Sequence, residues 1–370
     1  MIEYEGYRVA TPDALETPAM LVYDECLQHN IDSLCRLVEG GHHLLAHVKT
    51  HKSGAVTERQ LKAGMAGFKC ATLNELEMVL DCGAHLAVLA YPLAQARKVE
   101  RLIELVQRFG DARVHACVSA PEHIDLLQEG ARQAGITLSV LLDVDVGMHR
   151  TGIALNDAAL DLYRGMAASQ ELETGGLHVY DGHEHIVDPA ERLATTQKHI
   201  EAIQAFRARL EAEGLAAPLI VGGGSFSFLA YARTEGMYGS PGTNVYWDWG
   251  YSRQMPDMPF RWAALILTQV IDRYPEQQLF TTDLGYKAIC GDPPLANRVR
   301  LLGYEDAELQ LQNEEHASFR REGELPAVGT YLLAVPGHIC PTTIRYPGSY
   351  LLDEAGEVMD FYPHTARDRL

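Results

Sequence analysis

The chain has 370 residues, of which 47% are hydrophobic, and its 31 basic and 50 acidic residues give a formal net charge of −19. This length exceeds the usual size of one domain, so a barrel with an appendage or two comparable domains would fit. The strong acidity disfavours nucleic acid and anionic membranes as partners and favours a small molecule.

The N-terminus and the cysteines indicate a cytoplasmic protein. No basic segment followed by an apolar segment opens the chain, and no uninterrupted apolar stretch approaches the length of a membrane span. The seven cysteines are scattered and form no CxxC pair. This pattern predicts reduced thiols rather than a disulfide framework.

Short apolar runs alternate with helical patterns up to residue 250. A first strand and helix, in AMLVYDECLQHNIDSLCRLV, precede eight further strands with amphipathic stretches between them. We predict these eight strands at residues 44–50, 67–72, 85–91, 113–119, 138–145, 174–180, 219–225 and 244–250. The alternation predicts an α/β domain with the (β/α)8 TIM barrel architecture, which we place at residues 16–250.

After Tyr251 the pattern changes to strand-like runs separated by turn residues, such as RWAALILTQVIDRY and GTYLLAVPGHICPT. No long helical period intervenes, which predicts a mostly β domain. We assign to this domain residues 251–370 together with the N-terminal residues 1–15.

Two lysines lie at the end of the first barrel strand, in HLLAHVKTHKSG. Alternation places Leu45, His47 and Lys49 on one face, which we assign to the barrel interior. Active sites of such barrels form at the carboxyl ends of the strands, so Lys49 is a candidate amine nucleophile. The alternative is a rim lysine paired with a carboxylate. Lys52 lies beyond the strand and is predicted to be solvated.

A glycine run follows the seventh strand, in LIVGGGSFS. Glycines let the backbone approach an anion closely, and successive N–H groups with a serine hydroxyl can bind a phosphate. Barrels often bind phosphate at this position. The candidate phosphate-binding residues are Gly222, Gly223, Gly224, Ser225 and, before the predicted eighth strand, Gly242 and Thr243.

His338 and Cys340 lie two residues apart in the predicted strand of GHICPT. Side chains two apart in a strand share a face, so an imidazole and a thiolate could bind one cation. Two protein ligands leave positions for water or substrate, which is typical of a catalytic metal site. An isolated HxC pair also arises by chance. Glu314 and His316 could support the ligands or face solvent.

The loop DGHEHIVDP follows the sixth strand and places two histidines at the same rim of the barrel. His183 or His185 could serve as a base or guide a substrate hydroxyl. A hydrated loop is the alternative.

Several motifs, in this order, resemble the alanine-racemase-type pyridoxal phosphate enzymes: HVKTHKS, DVDVGMHRTGI at 143–153 and GGGS at 222–225. More narrowly, SPGTNVYWDWGY, DLGYKAICGDPP and PGHICPT resemble the D-threonine aldolase and D-serine dehydratase family. The match runs from residue 16 to beyond residue 345, which covers both predicted domains.

The resemblance implies a pyridoxal 5′-phosphate cofactor and a divalent metal. It implies that Lys49 binds the cofactor covalently, that Arg150 hydrogen-bonds its phenolate oxygen or a substrate carboxylate, and that Tyr180 lies near its ring. A structural ion pair for Arg150 and a core position for Tyr180 are the alternatives. It further implies that His338 and Cys340 bind the metal, where the thiolate favours Zn²⁺ over Mn²⁺ or Mg²⁺. A homodimer is expected from this type of fold.

The implied activity is that of a lyase acting on D-3-hydroxy-α-amino acids. We favour retro-aldol cleavage of D-threonine-like substrates to glycine and an aldehyde. The alternative is dehydration of D-serine or D-3-hydroxyaspartate to a 2-oxo acid and ammonia, which Cys340 favours because aldolases of the family more often carry aspartate there. An amino acid racemase, a non-enzymatic pyridoxal phosphate carrier and a metal-only barrel hydrolase built on GHEH are more remote alternatives.

Overall fold

The computed structural model describes residues 1–369. Its strands are β1 (Ile2–Tyr4), β2 (Tyr7–Val9), β3 (Ala19–Tyr23), β4 (Leu45–His47), β5 (Gly67–Cys70), β6 (Leu86–Pro92), β7 (Arg113–Val118), β8 (Leu138–Val144), β9 (Leu172–Val179), β10 (Leu219–Gly222), β11 (Met237–Gly239), β12 (Ala264–Tyr274), β13 (Leu279–Thr282), β14 (Val299–Leu301), β15 (Glu308–Gln312), β16 (Ala317–Arg320), β17 (Tyr331–Pro336), β18 (Gly348–Leu352) and β19 (Val358–Pro363).

Its helices are α1 (Asp24–Leu37), α2 (Gly54–Lys62), α3 (Leu73–Asp81), α4 (Ala96–Arg108), α5 (Pro121–Ala134), α6 (Asp157–Ala168), α7 (Pro189–Ala212), α8 (Phe228–Ala232), α9 (Trp249–Gln254) and α10 (Ile339–Thr343). Across residues 1–369, no helix combines the length and the apolar character that crossing a bilayer requires. Within the described residues, none of the seven cysteines forms a disulfide bond.

The chain forms two compact units. The first, called the barrel unit, comprises Cys35–Lys49 and Thr57–Gly242 with Arg369. The second, called the β unit, comprises Met1–Leu34, Thr50–Val56 and Thr243–Asp368.

The barrel unit is an eight-stranded parallel sheet in which β4 to β11 follow one another in sequence order. A parallel bridge between Leu44 and Gly239 joins the two ends of the sheet. The His47 N–H also donates to the Pro241 carbonyl at 2.8 Å. The sheet is therefore nearly closed, and the predicted TIM-type barrel is confirmed.

The barrel interior is apolar at its centre. Leu45 lies there in a buried cluster with Val88, Cys117 and Leu141, which come from four different strands. The strand alternation thus turns Leu45 inward, as predicted, and the polar residues that follow it lie nearer the carboxyl end of β4.

The eighth strand was predicted at the wrong place. It is β11, whereas the predicted segment 244–250 contains a 3-10 turn and the start of α9. The Asp248 carboxylate accepts a hydrogen bond from the Tyr251 N–H at 2.8 Å, which caps α9. Trp247 before it adopts a positive φ of 53°. The aromatic residues of NVYWDWG imitate a strand, but the aspartate cap starts a helix.

The β unit contains a sheet in the order β15-β16-β13-β12-β3-β18-β19. Strand β17 also pairs with β12, and β14 pairs with β17. Strand β3 pairs antiparallel with β12 and parallel with β18. Leu21 from β3, Leu265 from β12 and Leu352 from β18 are fully buried in one cluster. The N-terminal strand is thus an interior strand of this sheet, which the sequence pattern does not reveal.

Candidate active site

A cavity of about 180 Å³ opens in the barrel unit. It lies at the carboxyl ends of the strands, where enzymes with this architecture bind their substrates. Its lining includes His47, Lys49, Lys69, Arg150, His178 and Tyr180.

Tyr180, which follows β9, is the common neighbour of three cationic side chains in this cavity. The Cζ atom of Arg150 lies 4.7 Å from the centre of the Tyr180 ring. The Nζ atoms of Lys49 and Lys69 lie 5.6 Å and 5.2 Å from the same point. Cations within about 6 Å of an aromatic ring are attracted by it. The structure therefore brings together Lys49, Arg150 and Tyr180, and adds a second lysine.

Lys69 was not singled out by the sequence analysis. It lies in β5, paired in register with His47, and is 1% exposed. Burial lowers the pKa of Lys69 to about 7, the positive charge of Lys49 acts in the same direction, and the carboxylates of Asp181 and Asp143 oppose them. The available signal was a lysine within the otherwise apolar strand GFKCAT.

A buried hydrogen bond lies beside these amines. His178 Nδ1 is 2.7 Å from Asp143 Oδ1, and both side chains are buried. Burial alone would raise the pKa of Asp143, but the hydrogen bond and charge of His178, Thr151 and the charge of Arg150 hold it below its ordinary value. Burial lowers the pKa of His178. In this hydrogen bond the carboxylate of Asp143 therefore accepts and Nδ1–H of His178 donates.

Cys117 joins this pair in a possible cation site. Donor atoms of Cys117, Asp143 and His178 all lie within 4.8 Å of one another. Burial raises the pKa of the Cys117 thiol well above its ordinary value. Because the thiolate is the form that binds metals, a cation here would first have to displace that proton.

The glycine turn after β10 packs closely against two tyrosine rings. A Cβ on Gly222 would lie 2.3 Å from the Tyr231 ring, and one on Gly224 would lie 2.9 Å from Cε2 of Tyr180. Gly223 has a φ of +76°, which favours glycine. These three positions thus need the absence of a side chain.

Two amides of this turn already have protein partners. The Gly223 N–H donates to Val179 O at 3.2 Å, and the Gly224 N–H donates to Ser227 Oγ at 3.1 Å. An anion at the turn must therefore be held by other groups. Ser225, which follows, is 6% exposed.

The two loop histidines have neighbours of their own. His183 Nε2 lies 3.3 Å from Glu184 Oε1, and its ring stacks on His199 with the centroids 6.5 Å apart. The His185 ring packs edge-on against Phe226 at 5.0 Å. Within the described chain, neither histidine lines the cavity.

In the β unit, His338 and Cys340 are not in a strand, so that prediction is wrong. His338 immediately precedes α10, which contains Cys340. Pro341 suits the first turn of a helix, and Asp248 Oδ2 accepts the Ile339 N–H at 2.9 Å. Burial raises the pKa of Asp248 to about 6, against the effect of the Ile339 and Tyr251 amides.

The imidazole and the thiol are nevertheless neighbours. Partial burial alone would lower the pKa of His338, but hydrogen bonding and charge from Cys340, with Asp292 and Asp248, raise it to about 9. The hydroxyl oxygens of Thr50 and Thr243 lie 3.1 Å and 3.4 Å from Cys340 Sγ. Thr243, predicted at the phosphate site, thus contacts the candidate metal ligand, and Gly242 before it is buried.

Asp292 supports His338, a role that the sequence analysis considered for Glu314 and His316. His338 Nδ1 lies 2.6 Å from Asp292 Oδ2. Glu314 and His316 are both exposed, and Glu314 pairs with Lys287 at 2.7 Å. The solvent-facing alternative therefore holds for those two residues. Asp292 belongs to the motif DLGYKAICGDPP.

Lys52 is also placed differently from the prediction. It is 8% exposed rather than solvated, and its backbone carbonyl accepts the Ala366 N–H at 3.2 Å. Lys52 therefore belongs to the packed part of the β unit.

Comparison with known proteins identifies the family. Residues 24–248 match the alanine racemase N-terminal domain, and residues 263–352 match the putative serine dehydratase domain. The first match covers more than half of the chain. The chain belongs to the alanine racemase N-terminal domain family. The family resemblance carried by the motifs is thus confirmed.

The chain is similar over nearly its whole length to enzymes that act on 3-hydroxy amino acids, judged by their names. The chain is 26% identical over 388 residues to 3-hydroxy-D-aspartate aldolase of Paracoccus denitrificans, covering 99% of this chain and 98% of that protein. It is 27% identical over 369 residues to D-threo-3-hydroxyaspartate dehydratase of Delftia sp., covering 93% and 96%. The crystal structure of D-threonine aldolase from Filomicrobium marinum matches with a TM-score of 0.88, 27% identity and coverage of 95% and 96%.

Proposed function

We propose that this protein is a pyridoxal phosphate- and divalent-metal-dependent lyase acting on D-3-hydroxy-α-amino acids, chiefly by retro-aldol cleavage of D-threonine-like substrates to glycine and an aldehyde. The observation that carries the proposal is that Lys49, Arg150 and Tyr180 border one cavity of the barrel. The aldolases and the dehydratase among the similar proteins support the substrate class.

The residues around the cavity fit pyridoxal phosphate. Lys49 offers the primary amine that an aldehyde requires, Tyr180 offers an aromatic surface for a planar ring, and Arg150 offers planar donors for an oxygen. His178 Nε2 is buried and has no hydrogen-bond partner within the described residues, so a polar ligand would satisfy it. When bound, the cofactor supplies an electron sink for the charge left at the substrate's α-carbon.

The side chains of the cavity have distinct roles in this proposal. The Lys49 amine holds the cofactor and exchanges a proton at the α-carbon. The Arg150 guanidinium orients the substrate carboxylate or the cofactor's phenolate oxygen, and its contact with the Tyr180 ring restricts its own motion. Asp143 fixes the His178 tautomer, so that Nε2 is the nitrogen available to a ligand.

His338 and Cys340 would hold the divalent cation. An imidazole next to a thiol is a donor set that suits Zn²⁺ better than Mn²⁺ or Mg²⁺, and the carboxylate of Asp292 orients the imidazole. When bound, the cation supplies Lewis-acid polarisation of the substrate's β-hydroxyl. A cation at Cys117, Asp143 and His178 would have to displace the proton of the Cys117 thiol, just as one at His338 would have to displace an imidazole proton.

Dehydration to a 2-oxo acid and ammonia is the second candidate function. Cys340 favours it, because a soft thiolate replaces the aspartate that the resemblance associates with aldolases. Both reactions use the same residues. The difference lies in which bond to the α-carbon is broken, that to the β-carbon or that to the proton.

The products formed from D-threonine test the proposal. Glycine with acetaldehyde would establish aldol cleavage, whereas ammonia with 2-oxobutanoate would establish dehydration. Accumulation of L-allo-threonine alone, which differs from D-threonine only at the α-carbon, would instead identify a racemase. The same incubation with D-3-hydroxyaspartate, which yields glycine and glyoxylate on cleavage, defines the preferred β-substituent. The expected homodimer is checked by sedimentation of the cofactor-loaded protein.

A further inference from the structure

Lys69 reaches the same cavity as Lys49 but has no role in the function proposed above. It projects from β5, where it is paired in register with His47 on β4 and Val88 on β6. Its side chain is 1% exposed, and Nζ donates to the Gly223 carbonyl at 3.3 Å. A buried ammonium group is costly unless an anion compensates it.

The charges of Asp143 and Asp181 act on Lys69 only from a distance. Within residues 1–369, Lys69 forms no ion pair with a carboxylate. Asp143 is hydrogen-bonded to His178, and Asp181 accepts the hydroxyl of Ser227 at 2.7 Å. The Lys69 amine therefore contacts the Gly223 carbonyl and the Tyr180 ring. An anionic ligand beside Lys69 would stabilise its ammonium form.

The glycine turn indicates where that ligand would lie. The Gly223 carbonyl that accepts from Lys69 belongs to the glycine segment 222–224, where side chains would collide with tyrosine rings. Two amides of this turn are engaged by protein atoms, so the turn needs another positive group if it is to bind an anion. Lys69 is the cation that contacts the turn directly.

We propose that Lys69 is a further cofactor-positioning residue: its amine braces the glycine turn through Gly223 and provides the positive charge for the phosphate of the bound cofactor. The inference rests on the proposed function, because it takes pyridoxal phosphate as the ligand. It assigns the two lysines different tasks. Lys49 makes the covalent bond, and Lys69 balances charge.

In this proposal, cofactor binding is coupled to protonation of Lys69. Burial lowers the pKa of Lys69 to about 7, and a nearby dianion would favour the ammonium form again. Cofactor binding at neutral pH therefore takes up a proton at Lys69, and affinity falls as the pH rises above that value. The titratable and charged groups around Lys69 are His47, Lys49, Tyr91, Cys117, Asp143, Arg150, His178, Tyr180 and Asp181.

Calorimetric titration of the cofactor-free protein tests the inference. Pyridoxal phosphate and pyridoxal are each titrated into the wild type and Lys69→Met at pH 7, in two buffers that differ in ionisation enthalpy. We expect Lys69→Met to weaken pyridoxal phosphate binding roughly tenfold or more, as for loss of a charged hydrogen bond, and to leave pyridoxal binding nearly unchanged. The wild type should also take up more protons per bound cofactor than the variant.

Two controls isolate the role of the charge. Lys98→Met removes an exposed lysine that lies 5.6 Å from the ring of Tyr91, another residue lining the cavity, and should behave as wild type. If Lys69→Met does not unfold cooperatively and is therefore not properly folded, Lys69→Gln replaces it in the same titrations, because glutamine keeps a polar group without the charge.

Equal pyridoxal phosphate affinity in Lys69→Met and the wild type would overturn the inference, as would an equal loss for pyridoxal and pyridoxal phosphate. Failure of the wild type to bind pyridoxal phosphate, or visible absorbance that does not depend on Lys49, would instead overturn the proposed function. The two failures are therefore distinguishable.

Discussion

The Nδ1 atom of His338 lies 2.6 Å from Oδ2 of Asp292. This bond leaves Nε2 as the imidazole nitrogen available to a cation. Carboxylates that bind the second nitrogen of a metal-binding histidine orient its ring and raise its basicity. Asp292 is thus a positioning residue in the proposed metal site.

We expect Asp292→Asn to weaken binding of Zn²⁺ by about 10- to 100-fold, because the amide orients the imidazole less firmly. Competition with a chromogenic chelator measures the affinity. Asp360→Asn, at an exposed position on β19, is the matched control. An unchanged affinity in Asp292→Asn would show that the metal does not bind at His338.

Cys340 should determine the preference among metals. Cys340→Ala is expected to abolish stoichiometric metal binding, since one protein ligand is lost. Cys340→Asp is expected to shift the preference from Zn²⁺ towards Mn²⁺, because a carboxylate is the harder ligand. Atomic absorption after dialysis against each metal measures both effects. Retention of one Zn²⁺ by Cys340→Ala would contradict this assignment and would indicate that the metal binds at Cys117, Asp143 and His178 instead.

Lys49→Ala is expected to abolish both lyase activity and the visible absorbance of the lysine-bound cofactor. The reason is that the amine at the cavity wall is lost. Lys62→Ala removes an exposed lysine at the end of α2 and should change neither property. If Lys49→Ala kept the absorbance, Lys49 would not be the lysine that carries the cofactor, and the proposed function would be overturned.

Gly224→Ala is expected to displace the Tyr180 ring, because the new Cβ would lie 2.9 Å from Cε2. Overpacking of this kind costs about 1–3 kcal/mol of unfolding free energy. Cofactor affinity should fall as well, since the ring also contacts Lys49 and Arg150. Thermal unfolding and cofactor titration measure the two effects. Gly110→Ala, where a Cβ would meet no atom closer than 4.0 Å, is the control.

His364 should make the β unit less stable in acid. Burial lowers the pKa of His364 to about 4, although the carbonyls of Tyr346 and Thr343 oppose the shift. The unfolded state therefore binds the proton first, near pH 6.5. The free energy of unfolding is therefore unaffected by protonation of His364 above that pH. It falls by about 3 kcal/mol as the pH is lowered towards 4.

Urea unfolding between pH 7.5 and 4 measures how the free energy of unfolding depends on pH. In His364→Gln this free energy should fall less steeply as the pH is lowered. The glutamine can still reach Ser349, whose hydroxyl lies 2.8 Å from His364 Nε2. An equally steep loss of stability in the variant would assign the effect to other groups, such as the buried His115.

The sequence predicted the barrel because local periodicity decides which face of a strand is buried. Alternation turned Leu45 inward, and Lys49 does line the cavity. Alternation failed at His338 and Cys340, where a helix begins at the residue between them. Their side chains remain neighbours although residues two apart within a helix do not face each other, and His338 itself keeps an extended backbone before the helix.

The sequence could not predict features that depend on distant partners. Asp292 meets His338 through the fold of the β unit, and no spacing rule links them. Lys69 lies in an apolar strand, and its Nζ contacts Gly223, in the turn that follows a strand far away in sequence. The eighth strand was misplaced because aromatic residues suit either a strand or a capped helix, and the Asp248 cap decided the outcome.

The position of β3 has a consequence for biosynthesis. This strand precedes the barrel segment in the chain and is synthesised before it, whereas its neighbours β12 and β18 are made only after the barrel segment. Until then, five consecutive buried residues expose both hydrogen-bonding edges, a state prone to aggregation. A circular permutant that begins at Thr243 and joins the old termini would synthesise the sheet as one continuous piece and should mature with less help from chaperones.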